Sequence, residues 1–268
     1  MSITIISGGT QGLGEAVARR LVALGGPTGL VLSGRSINRG QLLAKELTAS
    51  GTPTIFVAAD VSDDDAPAMV VGACQERFGT VNGLVNVAAT TTRSTLWADT
   101  PAHFDAMMAV NVKAPYFMIQ AAARLMLATG AKGSIVNVGS TSGHGGQSKL
   151  SAYSISKGAL SIMTKNLAYA LMRNNIRVNQ VNPGWMATES EHRTQIHGDG
   201  APEDWLELAA PNRPLGRLVQ PWEVANTICY CLSDDAGLLT GNCIDVDQSV
   251  QGAGDPPLPR ADDTPQPP

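Results

Sequence analysis

The strongest constraint on this chain is a rhythm: seven short, continuously apolar runs alternate with segments of helical spacing. The runs are Ile3–Ser7, Leu30–Ser33, Thr54–Ala58, Gly83–Val87, Ser134–Val138, Arg177–Val181 and Cys243–Val246. A strand that is apolar at every position, not at alternate ones, is buried on both faces, as in a parallel sheet covered by helices. Helices are expected over Gly12–Leu24, Asn38–Ala49, Pro67–Phe78, about 102–127, Ala152–Met172 and Trp222–Leu232. The first stops at Gly25-Gly26-Pro27, a strong break. Strand–helix alternation of this kind implies an α/β, doubly wound Rossmann fold, with a seven-stranded parallel sheet and helices on both faces. One domain is expected over residues 1–251, with a proline-rich tail over 252–268 that is either disordered or draped over a neighbouring subunit.

Composition removes several function classes. The net charge is −4, and the tail's Asp255, Asp262 and Asp263 against Arg260 supply half of it, so the body is near neutral and has no basic patch for nucleic acid. Cys74, Cys229, Cys231 and Cys243 form no C-x-x-C pair and no zinc-type spacing, so they read as free thiols and no metal site is expected. No apolar run is long enough to span a membrane, and a cytoplasmic location is expected.

Two stretches carry chemistry. Tyr153 and Lys157 lie four apart in a helical segment, hence on one face, and a phenol beside an ammonium is expected to have its pKa lowered. Ser7-Gly8-Gly9-Thr10-Gln11-Gly12-Leu13-Gly14 joins the first strand to the first helix, where glycines let a phosphate approach the backbone and a helix N-terminus. Met186–Gly216 is polar and follows a strand's carboxyl end, where such sheets bind ligands; it is expected to act as a lid.

The glycine pattern, the Tyr153/Lys157 pair and the order of elements resemble the short-chain dehydrogenase/reductase family in its single-domain form, over about residues 1–250. The resemblance implies a catalytic set of Asn111, Ser140, Tyr153 and Lys157. Tyr153 would be the general acid or base and Ser140 the donor to the substrate oxygen. Lys157 would tune the tyrosine and hold the nicotinamide ribose, and Asn111 would support a water in a proton relay. It further implies cofactor contacts from Gly8, Thr10, Gln11, Gly12, Leu13 and Gly14, and from the adenine-side Asp60 and Val61. Asn86 and Ala88 fit the family's Asn-Asn-Ala-Gly segment, whereas Val87 and Ala89 depart from it. Pro183, Gly184, Trp185, Met186 and Thr188 match the nicotinamide-side loop.

At the end of the second strand, Gly34 stands where an NAD enzyme needs a carboxylate, and Arg35 and Ser36 follow, so NADP(H) is expected over NAD(H). Gln11 stands where many NADP-dependent relatives carry a second base. On the substrate side His144, Gln147, Trp185, Met186, Glu189 and His192 are placed by position to line the pocket. Their polarity points to a polyol, sugar-derived or hydroxy-ketone substrate. The expected activity is carbonyl/secondary-alcohol interconversion on a small molecule, in a homotetramer paired through the two long helices. The alternatives are an NAD(H)-dependent polyol dehydrogenase, an isomerase or dehydratase, or a catalytically silent nucleotide-binding scaffold.

Overall fold

The computed structural model describes residues 2–145 and 147–249; the proline-rich tail lies outside the described residues. Seven strands, β1 (Ile3–Ser7), β2 (Gly29–Gly34), β3 (Thr54–Ala58), β4 (Gly83–Asn86), β5 (Gly133–Val138), β6 (Ile176–Pro183) and β7 (Cys243–Val246), form one sheet. Their order is β3-β2-β1-β4-β5-β6-β7, and every pairing is parallel. The order reverses between β1 and β4, so their carboxyl ends open the crevice where such sheets bind ligands.

The runs are largely apolar because consecutive residues serve two cores, and β6 adds buried polar residues, Asn179, Gln180 and Asn182. Ile5 faces one core with Val70, Leu84, Met118, Ile119, Ile135 and Val178. Ile6, the next residue, faces the other with Leu13, Val17, Leu32, Val136, Val224 and Ile228. Helices α1 (Gly12–Ala23), α2 (Ile37–Ala49) and α9 (Pro221–Leu232) cover this second face. Helices α3 (Ala66–Phe78), α5 (Ala114–Thr129) and α6 (Ser151–Leu171) cover the first.

The long helix expected over 102–127 is instead three pieces: α4 (Pro101–Met108), a wider π-type turn over Ala109–Lys113, and α5. Pro115 explains the break. It has no N–H to give the carbonyl of Asn111, four residues earlier, so the regular ladder cannot pass through that point. The segment expected as a lid folds into α7 (Glu189–Arg193), a π-type turn over Thr194–Gly198 and α8 (Trp205–Ala209). No described helix is long and apolar enough to cross a membrane. No group of three or more His, Cys, Asp or Glu among the described residues can hold a metal, and all four cysteines are free thiols.

Candidate active site

The carboxyl ends of β1, β4, β5 and β6 carry the site. At β1 the glycine turn is fixed by backbone geometry. Gly8 has φ +77°, and a Cβ there would lie 2.6 Å from the amide nitrogen of Ala88. At Gly14 a Cβ would press on the carbonyl oxygen of Gly8. The Gly8 and Gly9 amides both donate to the Ser33 carbonyl at 2.9 and 3.0 Å, which ties the turn to β2. The result is a bare backbone cradle at the N-terminus of α1, fit for a pyrophosphate. The Ser33 hydroxyl beside it is buried without a hydrogen-bond partner among the described residues. A nucleotide cofactor therefore fits the residues present: Gly8, Thr10, Gln11, Gly12, Leu13 and Gly14 would border the phosphates, and Arg35 and Ser36 the adenosine ribose.

Arg35 is 82% exposed and stands 3.6 Å from Asp60. The Asp60 carboxylate accepts from the amide and hydroxyl of Ser62 at 3.0 and 2.7 Å. Those bonds, with Arg35 adding a smaller electrostatic pull, hold its pKa below the usual range. Val61 follows it at the end of the β3 loop. A second cation reaches this side from α2: Arg39 donates to the Gln11 side-chain oxygen at 3.2 Å.

At β5, Ser140 is extended (φ −169°) and its hydroxyl accepts from the Ser142 amide at 3.1 Å. Tyr153 and Lys157 lie one turn apart on α6, with the Lys157 ammonium 5.7 Å from the centre of the Tyr153 ring. Lys157 is 2% exposed and donates to the Val138 carbonyl at 2.8 Å. Burial pulls its pKa down to about 8. The phenol corrects the expectation of a lowered pKa. Burial, the largest influence, pushes Tyr153 above its ordinary value, and the Ser140 hydroxyl offsets this only in part. Glu191 raises it further and Arg93 lowers it.

Asn111 sits in the π-type turn, 1% exposed. Its side chain clamps Thr90 from both sides, accepting from the amide at 2.9 Å and donating to the carbonyl at 3.0 Å; it also donates to Ser156 at 3.0 Å. The side chain is thus consumed in fixing the loop after β4 against α6.

Asn86 and Ala88 stand at the end of β4, and the Ala88 amide donates to Ser7. Asn86 donates to Asn137 at 2.9 Å, and from there a buried relay runs through Thr164, Gln180 and Asn182 to Asp245. Its far end pairs with His144, at 2.9 Å. None of this relay was evident from the sequence, because its members lie on four different strands and one helix.

The substrate-side residues separate. Gln147 accepts from the Ser142 hydroxyl at 2.7 Å and borders a cavity of about 570 Å³ with Thr95, Leu96, Trp97, Ser151 and Ser154. His144 is turned to Asp245. Glu189 accepts two hydrogen bonds from the Arg39 guanidinium, each 2.9 Å, which drops its pKa to about 2. His192 accepts from the Trp205 indole at 2.8 Å. The polar groups expected to greet a polyol are therefore engaged with the protein. Thr188 caps α7, accepting from the Glu191 amide at 3.1 Å, and Met186 pairs with Val219. Trp185, directly after Pro183 and Gly184, stacks on Trp205 with ring centres 5.6 Å apart and donates to Glu191 at 2.8 Å.

Arg93 is the residue sequence reasoning missed. Half-buried, it bonds Glu191 at 3.1 Å and Asp199 at 2.6 Å, and so fastens the cover over Tyr153. Its only signal is a lone charge in a threonine-rich stretch just beyond a strand end.

A family model described as enoyl-(acyl carrier protein) reductase matches residues 8–250. The chain belongs to the short-chain dehydrogenase/reductase family. Within it, the chain is similar to a 4-formylbenzenesulfonate dehydrogenase of Comamonas testosteroni, 38% identical over 246 residues that cover 91% of this chain and 96% of the relative. It is similar also to an NADP-dependent (R)-specific alcohol dehydrogenase of Lentilactobacillus kefiri, at 30% identity over 89% of this chain and 92% of that one. A crystal structure of an actinorhodin polyketide ketoreductase variant with NADPH superposes with a TM-score of 0.86 at 28% identity, covering 92% of this chain and 96% of that chain. Short-chain dehydrogenase/reductase relatives of this kind are carbonyl/alcohol oxidoreductases that use nicotinamide cofactors, and that is the class of this chain.

Proposed function

We propose that this protein interconverts a carbonyl and a secondary alcohol with NADP(H) in preference to NAD(H), with Tyr153 as general acid and base. The observation that carries the reading is the meeting of Ser140, Tyr153 and Lys157 where β5 ends against α6. Bound beside them, a reduced nicotinamide would supply the hydride. The Tyr153 phenol, kept protonated by burial, would give its proton to the oxygen as negative charge develops there. The Ser140 hydroxyl would donate to the same oxygen. Lys157, cationic below about pH 8, would hold the ribose hydroxyls, and Asn111 would keep the loop after β4 in place.

The NADP(H) preference rests on the missing carboxylate at Gly34, the exposed Arg35 and the approach of Arg39 to Gln11. A silent scaffold would be expected to have lost part of the Ser140/Tyr153/Lys157 set, and the set is intact. Assembly into a homotetramer through the long helices is supported by Ile155, Ile162 and Tyr169, which repeat every seven residues along α6 and are 51%, 59% and 74% exposed.

The test is reduced-nicotinamide absorbance with a panel of aldehydes, keto-esters, hydroxy-ketones and polyols. A higher kcat/KM with NADPH than with NADH is expected, and a clear NADH preference refutes the cofactor assignment. Tyr153→Phe should retain NADPH binding and lose about 10²–10⁴-fold in kcat; near-normal turnover refutes the acid/base role.

A further inference from the structure

Glu191, whose charge acts on Tyr153, and Asp199 are both taken by Arg93. That leaves Arg213. Its guanidinium lies over the Trp185 ring, 5.2 Å from the centre. Among the described residues it forms no ion pair and no side-chain hydrogen bond, and its Nε is buried without a partner. A buried donor left unmade is costly, so native structures rarely keep one without use.

The position matters as much as the vacancy. Trp185 is the second residue beyond the end of β6, and Ser140 the second beyond the end of β5. The two strands pair up to Val138 and Val181, and the Gly139 amide donates to the Val181 carbonyl at 2.8 Å. Trp185 therefore stands on the strand end next to the one that carries Ser140, and Arg213 covers it. Trp185 also stacks on Trp205, and its indole N–H donates to Glu191. These contacts hold the ring on which the arginine rests. A planar guanidinium with free donors binds a carboxylate or sulfonate through paired hydrogen bonds.

We propose that Arg213 is a specificity residue for substrates that carry an acidic group, a carboxylate or sulfonate, at a distance from the reacting carbonyl or alcohol. This rests on the carbonyl/alcohol reading of the same site. Its burden is a charge-assisted pair, worth about 1.5–3 kcal/mol, or roughly 10–150-fold in kcat/KM.

The test compares 4-acetylbenzoate and 4-acetylbenzenesulfonate with methyl 4-acetylbenzoate, and levulinate with methyl levulinate, using the full chain and saturating NADPH. The wild type should favour at least one acid over its neutral partner by tenfold or more. Arg213→Met should remove that preference, chiefly through KM, and leave the neutral ketones within threefold; Arg213→Lys should restore part of it. Equal rates for acids and neutral partners in the wild type overturn the proposal. So does an equal fall for both in Arg213→Met, which marks a packing role for the arginine against Trp185. If no ketone or secondary alcohol turns over, the carbonyl/alcohol reading fails by itself. The arginine is then judged by saturation-transfer NMR with 4-(1-hydroxyethyl)benzoate and its methyl ester: anion-selective binding lost in Arg213→Met supports it, and unselective binding or none refutes it.

Discussion

Replacing Gly8 with alanine tests whether the cofactor turn is built by backbone contact. Two costs add. Gly8 has φ +77°, and a left-handed conformation costs an L-residue about 1–2 kcal/mol. The new Cβ would lie 2.6 Å from the Ala88 nitrogen and 2.8 Å from its Cα. Both are backbone atoms, so no side-chain rotation relieves the contact, and the strand end must move. Overpacking of this kind costs about 1–3 kcal/mol. Together the loss is about 2–5 kcal/mol, or a fall of roughly 4–20 °C in Tm for a domain of this size.

Gly130→Ala supplies the internal control. Gly130 has φ +65°, nothing lies within 4 Å of its built Cβ, and it ends α5 away from the crevice. It should lose only the conformational part, about 1–2 kcal/mol. Thermal and urea denaturation of both variants, with NADPH affinity by fluorescence, gives the comparison. Gly8→Ala should be the less stable and bind NADPH more weakly, because the Ala88 amide that it displaces is bonded to Ser7 in the same turn. Equal loss in the two variants refutes the contact argument.

Lys157 gives a pH signature. Its folded pKa of about 8 lies below the ordinary 10.5, so between those values the unfolded chain binds more protons and folding stability gains with rising pH. Wild-type stability should therefore improve relative to Lys157→Met between pH 7.5 and 9.5 by about 2 kcal/mol, read by urea denaturation; a flat or falling difference refutes the buried-cation reading. Glu189→Gln frees Arg39 and unfastens the outer edge of α7, so limited proteolysis within residues 186–216 should quicken while Tm stays nearly constant. Because Arg39 holds the Glu189 pKa near 2, the wild-type clasp should persist at pH 4 and loosen only in high salt. Unchanged cleavage in the variant refutes the clasp.

The strands were legible because both faces of the sheet are buried, so each run had to be largely apolar, and three of the seven bounds coincide with the observed ones. The break at Ala109–Lys113 was also written in the chain, as Pro115; apolar spacing that continues across it hid the signal. Tyr153 and Lys157 could be placed together because helical geometry alone sets their separation. The pKa of the phenol could not be read, since it follows from how the fold surrounds the half-buried ring, which helical spacing does not show. The same limit applies to His144 and Glu189. As a sequence they are polar residues near a ligand crevice. As a structure they belong to Asp245 and Arg39, partners 101 and 150 residues away.

Those distant partners explain how a site of ordinary hydroxyl and amine groups keeps its geometry. Asn86, Asn137, Thr164, Gln180, Asn182 and Asp245 link β4, β5, α6, β6 and β7 just beneath the crevice. A buried amide without its partner costs more than the pair contributes, so each member holds the next to one orientation. The relay leaves no room beside it: a Cβ at Gly139, the residue before Ser140, would collide with the Asn182 and Gln180 side chains. Ser140 is thus located by a bare backbone pressed against a hydrogen-bonded plane, and Lys157 by the carbonyl of Val138 on the same strand. The cover is held differently, by Arg39–Glu189 and Arg93–Glu191 ion pairs at its two edges. Ion pairs that are even partly exposed break at little cost, whereas a buried amide chain does not. If Ser140, Tyr153 and Lys157 act as proposed, their geometry is set by the strand ends, and substitutions in residues 186–216 should alter substrate choice before they alter proton transfer.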